Sequence, residues 1–386
     1  MKKNVILVLF CMTVVNLLLF VSCQHQVEEK CPVINLGNVK ESSVSDLFSK
    51  LEIVPLTMQE GKFLGNIDRL LVADKYYIVS DSRKIISVFD KTGKFVSSSE
   101  DKIGNGHEEY SIVMVYSYNP YNQSIEILTP IHLLTYDMNF NLLKKVKLPT
   151  KIANSKDSGL MFGYIYDLSD HLHLLLPTTT SMEANGMLLF DSSSSKVIKN
   201  IDYEMDEISK INMQSDCFFP GKGSNLTFVP PIDASYIYNF NVNTQECSRK
   251  YTIVGSPDFL TKEDIEAFSS NDSKKNQFLM NTDKDIPIAK MEMDKDIIFH
   301  VKKGNKLLDW YTLFYDKKSG KLKKVKLYSG KKRILPLIKS VDAQSLYSFV
   351  ESQHLTSLVE TWKQMGCKVE GNMHGGDGFV VKFTLK

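Results

Sequence analysis

Beyond residue 50 the chain is built from short runs in which apolar and polar residues alternate, the period of a half-buried β-strand. One phrase recurs: an alternating apolar strand, an Asp or Asn, a short polar turn, and a second strand. It occupies residues 86–96 around Asp90, 134–143 around Asp137, 188–198 around Asp191, 238–247 around Asn241 and 313–322 around Asp316. Asp, Asn, Ser and Gly turn a chain by side-chain hydrogen bonds or by accepting positive φ, so each phrase predicts a hairpin. The five anchors are 47, 54, 50 and 75 residues apart. Intervals near 50 are those of propeller blades rather than of solenoid repeats.

A second strand pair precedes each hairpin, at 67–72 and 76–80 in the first unit and at 112–118 and 124–128 in the second. Four strands per unit make a blade. The long last interval holds a different segment, 254–285, where Pro257 and early acids mark a helix start, and it reads as a helical insertion. The sixth unit is degenerate: a strand at 345–350, then Leu355, Leu358, Val359 and Trp362 at helical spacing, then a strong strand at 379–385. The strand at 51–56 has no blade of its own. A ring must close or leave two edges unpaired, so this strand is expected beside the C-terminal one. The predicted fold is all-β, a six-bladed β-propeller over 51–386 with a small helical insertion and an N-terminal strand closing the last blade.

The start of the chain carries an address. Lys2 and Lys3 precede an apolar run at 5–21 that ends in Ser22–Cys23. This predicts a lipoprotein signal peptide over 1–22, lipid attachment at Cys23 and a tether over 23–50. An uncleaved anchor is the alternative, since a run of 17 residues, broken only by Thr13 and Asn16, lies at the lower limit of a spanning helix. Gln24, not Asp, follows the cysteine, which favours the outer membrane and leaves its side open. The chain has 47 basic and 45 acidic residues, and loss of Lys2 and Lys3 balances them, which argues against nucleic acid as a partner. Cys31, Cys217, Cys247 and Cys367 are scattered, with no CxxC pair, and read as free thiols.

No nucleophile elbow, phosphate loop, dinucleotide fingerprint or HExxH motif occurs. His171 and His173 alternate on an expected strand and have no evident third metal ligand nearby, so they read as a polar face. The basic tract from Lys317 to Arg333 reads as an exposed blade edge guarded by lysines. Arg83, His107, Glu108 and His132 fall in loops of one rim and are the candidate ligand-binding residues.

Three segments carry a family resemblance: Gly65–Asn66–Ile67–Asp68, the hairpin at 86–96, and the stretch 102–111. With them the chain resembles the six-bladed propeller lipoproteins common in Bacteroidetes, relatives of the NHL-repeat propellers. His107 and Glu108 replace that family's Pro-Gly, and 373–378 departs from its usual last turn. A rigid ring presents many loops on one rim, which suits binding, so the chain is expected to be a lipid-anchored, non-catalytic module of the cell envelope that recognises a glycan, a peptide or a partner such as an outer-membrane transporter, with no cofactor. The alternative that the resemblance leaves is a lyase or lactone hydrolase with a divalent metal in the axial channel.

Overall fold

In a computed structural model of the chain the five predicted hairpins are present, and one device turns each of them. The structure describes residues 31–37, 39–150, 160–178, 186–204, 207–209, 211–268, 272–304 and 307–386. At each turn the anchor's side-chain oxygen accepts from the backbone N–H two residues on. Asp90 takes Thr92 at 2.8 Å, Asp137 takes Asn139 at 2.8 Å, Asp191 takes Ser193 at 2.7 Å, Asn241 takes Asn243 at 2.9 Å and Asp316 takes Lys318 at 2.8 Å. A residue at positive φ then reverses the chain: Gly93, Phe140, Ser195, Gln245 or Gly320. At Gly93 the glycine is also needed for space, because a Cβ there would sit 1.8 Å from the Pro55 carbonyl oxygen.

The five hairpins are the outer halves of five of the six sheets. Blade 1 runs Ile67–Val72, Tyr76–Asp81, Ile86–Asp90, Phe95–Ser98, and blade 2 Val115–Asn119, Ser124–Leu128, His132–Tyr136, Leu142–Lys147. Blade 3 is Phe162–Asp167, Leu172–Pro177, Met187–Asp191, Lys196–Ile201. Blade 4 holds Phe218–Pro220, Asn225–Phe228, Tyr236–Asn241 and Glu246–Val254, and blade 5 holds Asp285–Glu292, Asp296–Lys303, Tyr311–Asp316 and Leu322–Lys326. Blade 6 combines Ser340–Val341, Ser345–Glu351, Gly378–Leu385 and Phe48–Leu56. The first strand of each blade faces the axis. Middle strands such as Ser124–Leu128 are buried on both faces between neighbouring blades, and outer strands such as Lys196–Ile201 are mostly exposed.

Closure is antiparallel, with Leu51 opposite Phe383 and Leu56 opposite Gly378. Val369–Gly371 adds a parallel strand outside it. Among the described residues four helices decorate the ring: α1 (Val44–Leu47), α2 (Lys262–Glu266), α3 (Asp272–Asn281) and α4 (Ser352–Gln364). Thr261 and Asp264 form a capping box at α2. Helix α4 buries Leu355, Leu358, Val359 and Trp362, whose Nε1 donates to the Ile334 carbonyl at 2.8 Å.

The tether expected over 23–50 is corrected from residue 33 on. Val33–Asn35 pairs in parallel with Thr252–Val254 at the edge of blade 4, Glu41 bridges to Lys324 on blade 5, and α1 leads into the closing strand. The reason is apolar: Ile34, Leu36, Val44 and Leu47 are all buried, and the segment covers sheet edges otherwise unpaired. The leader, Cys23 and residues 24–30 lie outside the described residues. Among the described residues no helix is long and apolar enough to cross a membrane.

Candidate functional site

The four rim residues expected to bind ligand lie on the end of the ring where second strands lead into third strands. Arg83 is held by Asp81, with Nε 2.8 Å from Oδ2, and stacks over the Phe63 ring at 4.4 Å. Glu108 pairs with Lys102 at 3.1 Å, and the His107 carbonyl accepts from Lys145 at 3.0 Å. His132 lines a hollow of about 280 Å³ with Glu109 and Lys145, where burial first, then Lys145 and Lys147, lower its pKa. Of the four, His132 alone lines that hollow, and Arg83 belongs to blade 1's own turn.

At the opposite end, where first strands lead into second strands, all six blades converge on the axis around a cavity of about 340 Å³. This axial mouth is lined by five carboxylates: Asp167, Asp216, Glu292, Asp294 and Asp342. Tyr118, Tyr121, Tyr166 and Phe218 supply an aromatic wall. The one basic side chain of the lining is Arg69, which also lines a second cavity of about 330 Å³ on the other side. It therefore plugs the channel. Its Nη2 donates to Asp216 at 2.5 Å, its Nη1 to the Tyr116 carbonyl, and its guanidinium lies 4.8 Å from the Tyr116 ring centroid.

Glu292 is buried. Burial works to raise its pKa, but Lys250 and Lys317, each 2.7 Å from Oε1, outweigh that and hold it below the usual carboxylate range. Two buried polar atoms of the channel, Glu292 Oε2 and Arg69 Nε, have no hydrogen-bond partner. Asp294 and Asp342 are exposed, so the mouth presents negative charge to solvent.

Beside the mouth, the seam between blades 2 and 3 holds a polar network that sequence reasoning missed. Glu126, Asp167 and His173 are 1%, 7% and 0% exposed. His173 Nδ1 lies 2.8 Å from Asp167 Oδ1, and His173 Nε2 lies 3.0 Å from Ser192 Oγ. Thr135 donates to Glu126 at 2.8 Å and Ser117 to Asp167 at 2.9 Å. Burial, then the neighbouring Asp167, pushes the Glu126 carboxyl up to about 7. The expected His171–His173 face does not form. His171 precedes the strand, is exposed, and pairs with Asp170 at 2.6 Å. The signal in the sequence was an acid in the middle of the apolar run 124–128, since Glu is almost never fully buried without a partner.

The remaining candidates fall to ordinary roles. The tract from Lys317 holds the outer strand of blade 5, where Lys326 pairs with Glu41 at 3.0 Å and Lys324 covers the Tyr311 ring at 3.7 Å. Cys31, Cys217, Cys247 and Cys367 are free.

Comparison with curated proteins returns no match. Among solved structures, a protein of Bacteroides fragilis described provisionally as exported aligns with a TM-score of 0.66 at 15% identity, over 92% of this chain and 99% of that one. A DUF4221 family member from Bacteroides vulgatus aligns with a TM-score of 0.55 at 12% identity, over 88% and 97%. At these identities the likeness shows the fold. The model of a family described as a domain of unknown function, DUF4934, matches residues 31–372, and the chain therefore belongs to that family.

Proposed function

We propose that this chain is a non-catalytic binding module of the cell envelope, lipid-anchored through Cys23 in the manner of the NHL-like propeller lipoproteins, that takes a ligand carrying a cationic group into the axial mouth. The observation that carries this reading is the lining itself. Five carboxylates and five aromatic residues from a closed ring of blades line one cavity; Arg69 is committed to Asp216 and Lys250 and Lys317 to Glu292, which leaves Asp294 and Asp342 exposed at its opening. Carboxylates concentrate cations in such a concave site, and a ring face adds attraction for an ammonium or guanidinium. A lysine or arginine side chain of a peptide has the charge and the apolar stem that this lining complements.

The test is titration calorimetry of the protein with short lysine or arginine peptides and with a neutral oligosaccharide. Asp294→Asn combined with Tyr121→Ala alters two exposed groups of the mouth. It is expected to weaken peptide binding about tenfold and to reduce its salt dependence. Binding of the neutral sugar but not of the peptides would overturn the reading.

A further inference from the structure

The hydrogen bonds of the seam between blades 2 and 3 decide which imidazole nitrogen of His173 faces its neighbouring carboxyl. Ser192 has one hydroxyl proton. The His171 carbonyl, which can only accept, takes it at 3.1 Å, and Lys144 Nζ, which can only donate, gives to Ser192 Oγ at 3.4 Å. The 3.0 Å contact between Ser192 Oγ and His173 Nε2 is then donated by the ring, so Nε2 carries the imidazole proton. The Nδ1 lone pair of a neutral ring is left facing Asp167 Oδ1 at 2.8 Å. A lone pair and a carboxylate oxygen repel at that distance unless a proton or a metal ion lies between them. Glu126 stands on the same side, and the ligand atoms of all three residues lie within 4.8 Å of one another.

The remaining contacts supply no such cation. Glu126 is reached by neutral donors only: Thr135 at 2.8 Å, and Asn119 and Ser124 at 3.5 Å. Asp167 is reached by Ser117 and His173. Among the described residues no lysine or arginine pairs with either carboxyl, so a proton or a metal ion is what can offset their charge.

We propose that Glu126, Asp167 and His173 form a divalent-cation site of the zinc type, with His173 Nδ1 and one oxygen of each carboxyl as ligands. One imidazole nitrogen and two carboxylates are a donor set suited to Zn²⁺ or Mn²⁺; the nitrogen disfavours Ca²⁺ and Mg²⁺. Ligand atoms on a tetrahedral ion of this kind lie about 3.4 Å apart, so small side-chain adjustments bring the three into place. Ser192 acts as a positioning residue, fixing the imidazole tautomer as partners of metal-bound histidines do. Ser117 and Asp167 also line the axial mouth, which gives the ion and its water an entry path. The ion would join blade 2 to blade 3 and lower the negative charge of the mouth. The site lies off the axis, on the first strand of blade 3 and the second strands of blades 2 and 3.

The experiment uses the protein stripped with chelator, reloaded with Zn²⁺ alone, desalted, and analysed for metal by mass spectrometry. One equivalent is expected to remain in the wild type, and Glu126→Gln, which keeps the side-chain shape and one acceptor oxygen, is expected to bind at least about tenfold more weakly. Circular dichroism confirms that the variant is folded. Should it not fold, Co²⁺ added to the stripped wild type reads the site directly, through the visible absorption of a four-coordinate N/O environment. No retained equivalent in the wild type, or equal retention in a folded Glu126→Gln, overturns the proposal and leaves the seam balanced by protons alone. Neither result depends on what the mouth binds.

Discussion

Two buried histidines, one on each side of the ring, show how much neighbours matter to a buried ring. Both lie on the second strand of their blade and are closed off from solvent: His173 in the seam between blades 2 and 3, His300 in the seam between blades 5 and 6. His300 hydrogen-bonds only to neutral groups, with the Lys339 charge nearby. Its Nδ1 lies 2.9 Å from Thr312 Oγ1, and its Nε2 lies 3.1 Å from the Ile338 carbonyl oxygen and 3.1 Å from the Ile338 nitrogen. Burial, only partly opposed by the Ile338 carbonyl, holds its pKa down at about 4. His173 meets a carboxylate on one nitrogen and a hydroxyl on the other. Equal burial thus gives a sealed structural joint in one seam and a polar site open to a cavity in the other.

The comparison breaks most readily by truncation. His173→Ala leaves two buried carboxyls without their imidazole partner, at a cost of about 3–5 kcal/mol. His300→Ala orphans neutral groups and costs about 1–3 kcal/mol. Urea unfolding of both at pH 7 measures the difference, and equal losses would mean that the carboxyls add nothing to the seam.

Next in size is an acid limb contributed by His300. Its folded pKa of about 4 lies below the ordinary 6.5. The unfolded chain therefore takes up a proton as pH falls through 6.5, while the folded chain resists until about 4. Stability is complete above 6.5 and falls across that window by about 3 kcal/mol. In His300→Gln the slope of unfolding free energy between pH 6.5 and 4 should flatten by that amount. An unchanged slope would place the acid sensitivity elsewhere.

The smallest effect sharpens the charge count in the other seam. Lys144 is half-buried and reaches Ser192 at 3.4 Å, not a carboxyl. Lys144→Ala should cost under about 1 kcal/mol by thermal or urea unfolding. A cost of several kcal/mol would make this lysine the counter-ion that the seam otherwise lacks.

Much of the architecture was legible in the chain before any coordinates. Asp90, Asp137, Asp191, Asn241 and Asp316 announced their hairpins because the bonds they make reach two residues along, so the turn is decided within a window of five. Leu355, Leu358, Val359 and Trp362 announced α4 through spacing alone. The candidate site was less legible. The rim residues were chosen by loop position, which does not say whether a side chain faces a cavity or its own turn, as Arg83 does with Asp81. The segment 33–47 lies inside the expected tether, although Ile34 and Leu36 alternate like a strand and are buried.

By itself the sequence determined the repeat, the turns, the blade number and the strand that closes the ring, because strand period and turn chemistry are local free energies that each unit expresses alone. Only the tertiary structure decided which polar groups meet. Glu126 and His173 are 47 positions apart, and the mouth draws on every blade from Arg69 to Asp342. Such convergence depends on how neighbouring sheets stack and on the ring being closed, and no window of the chain contains either.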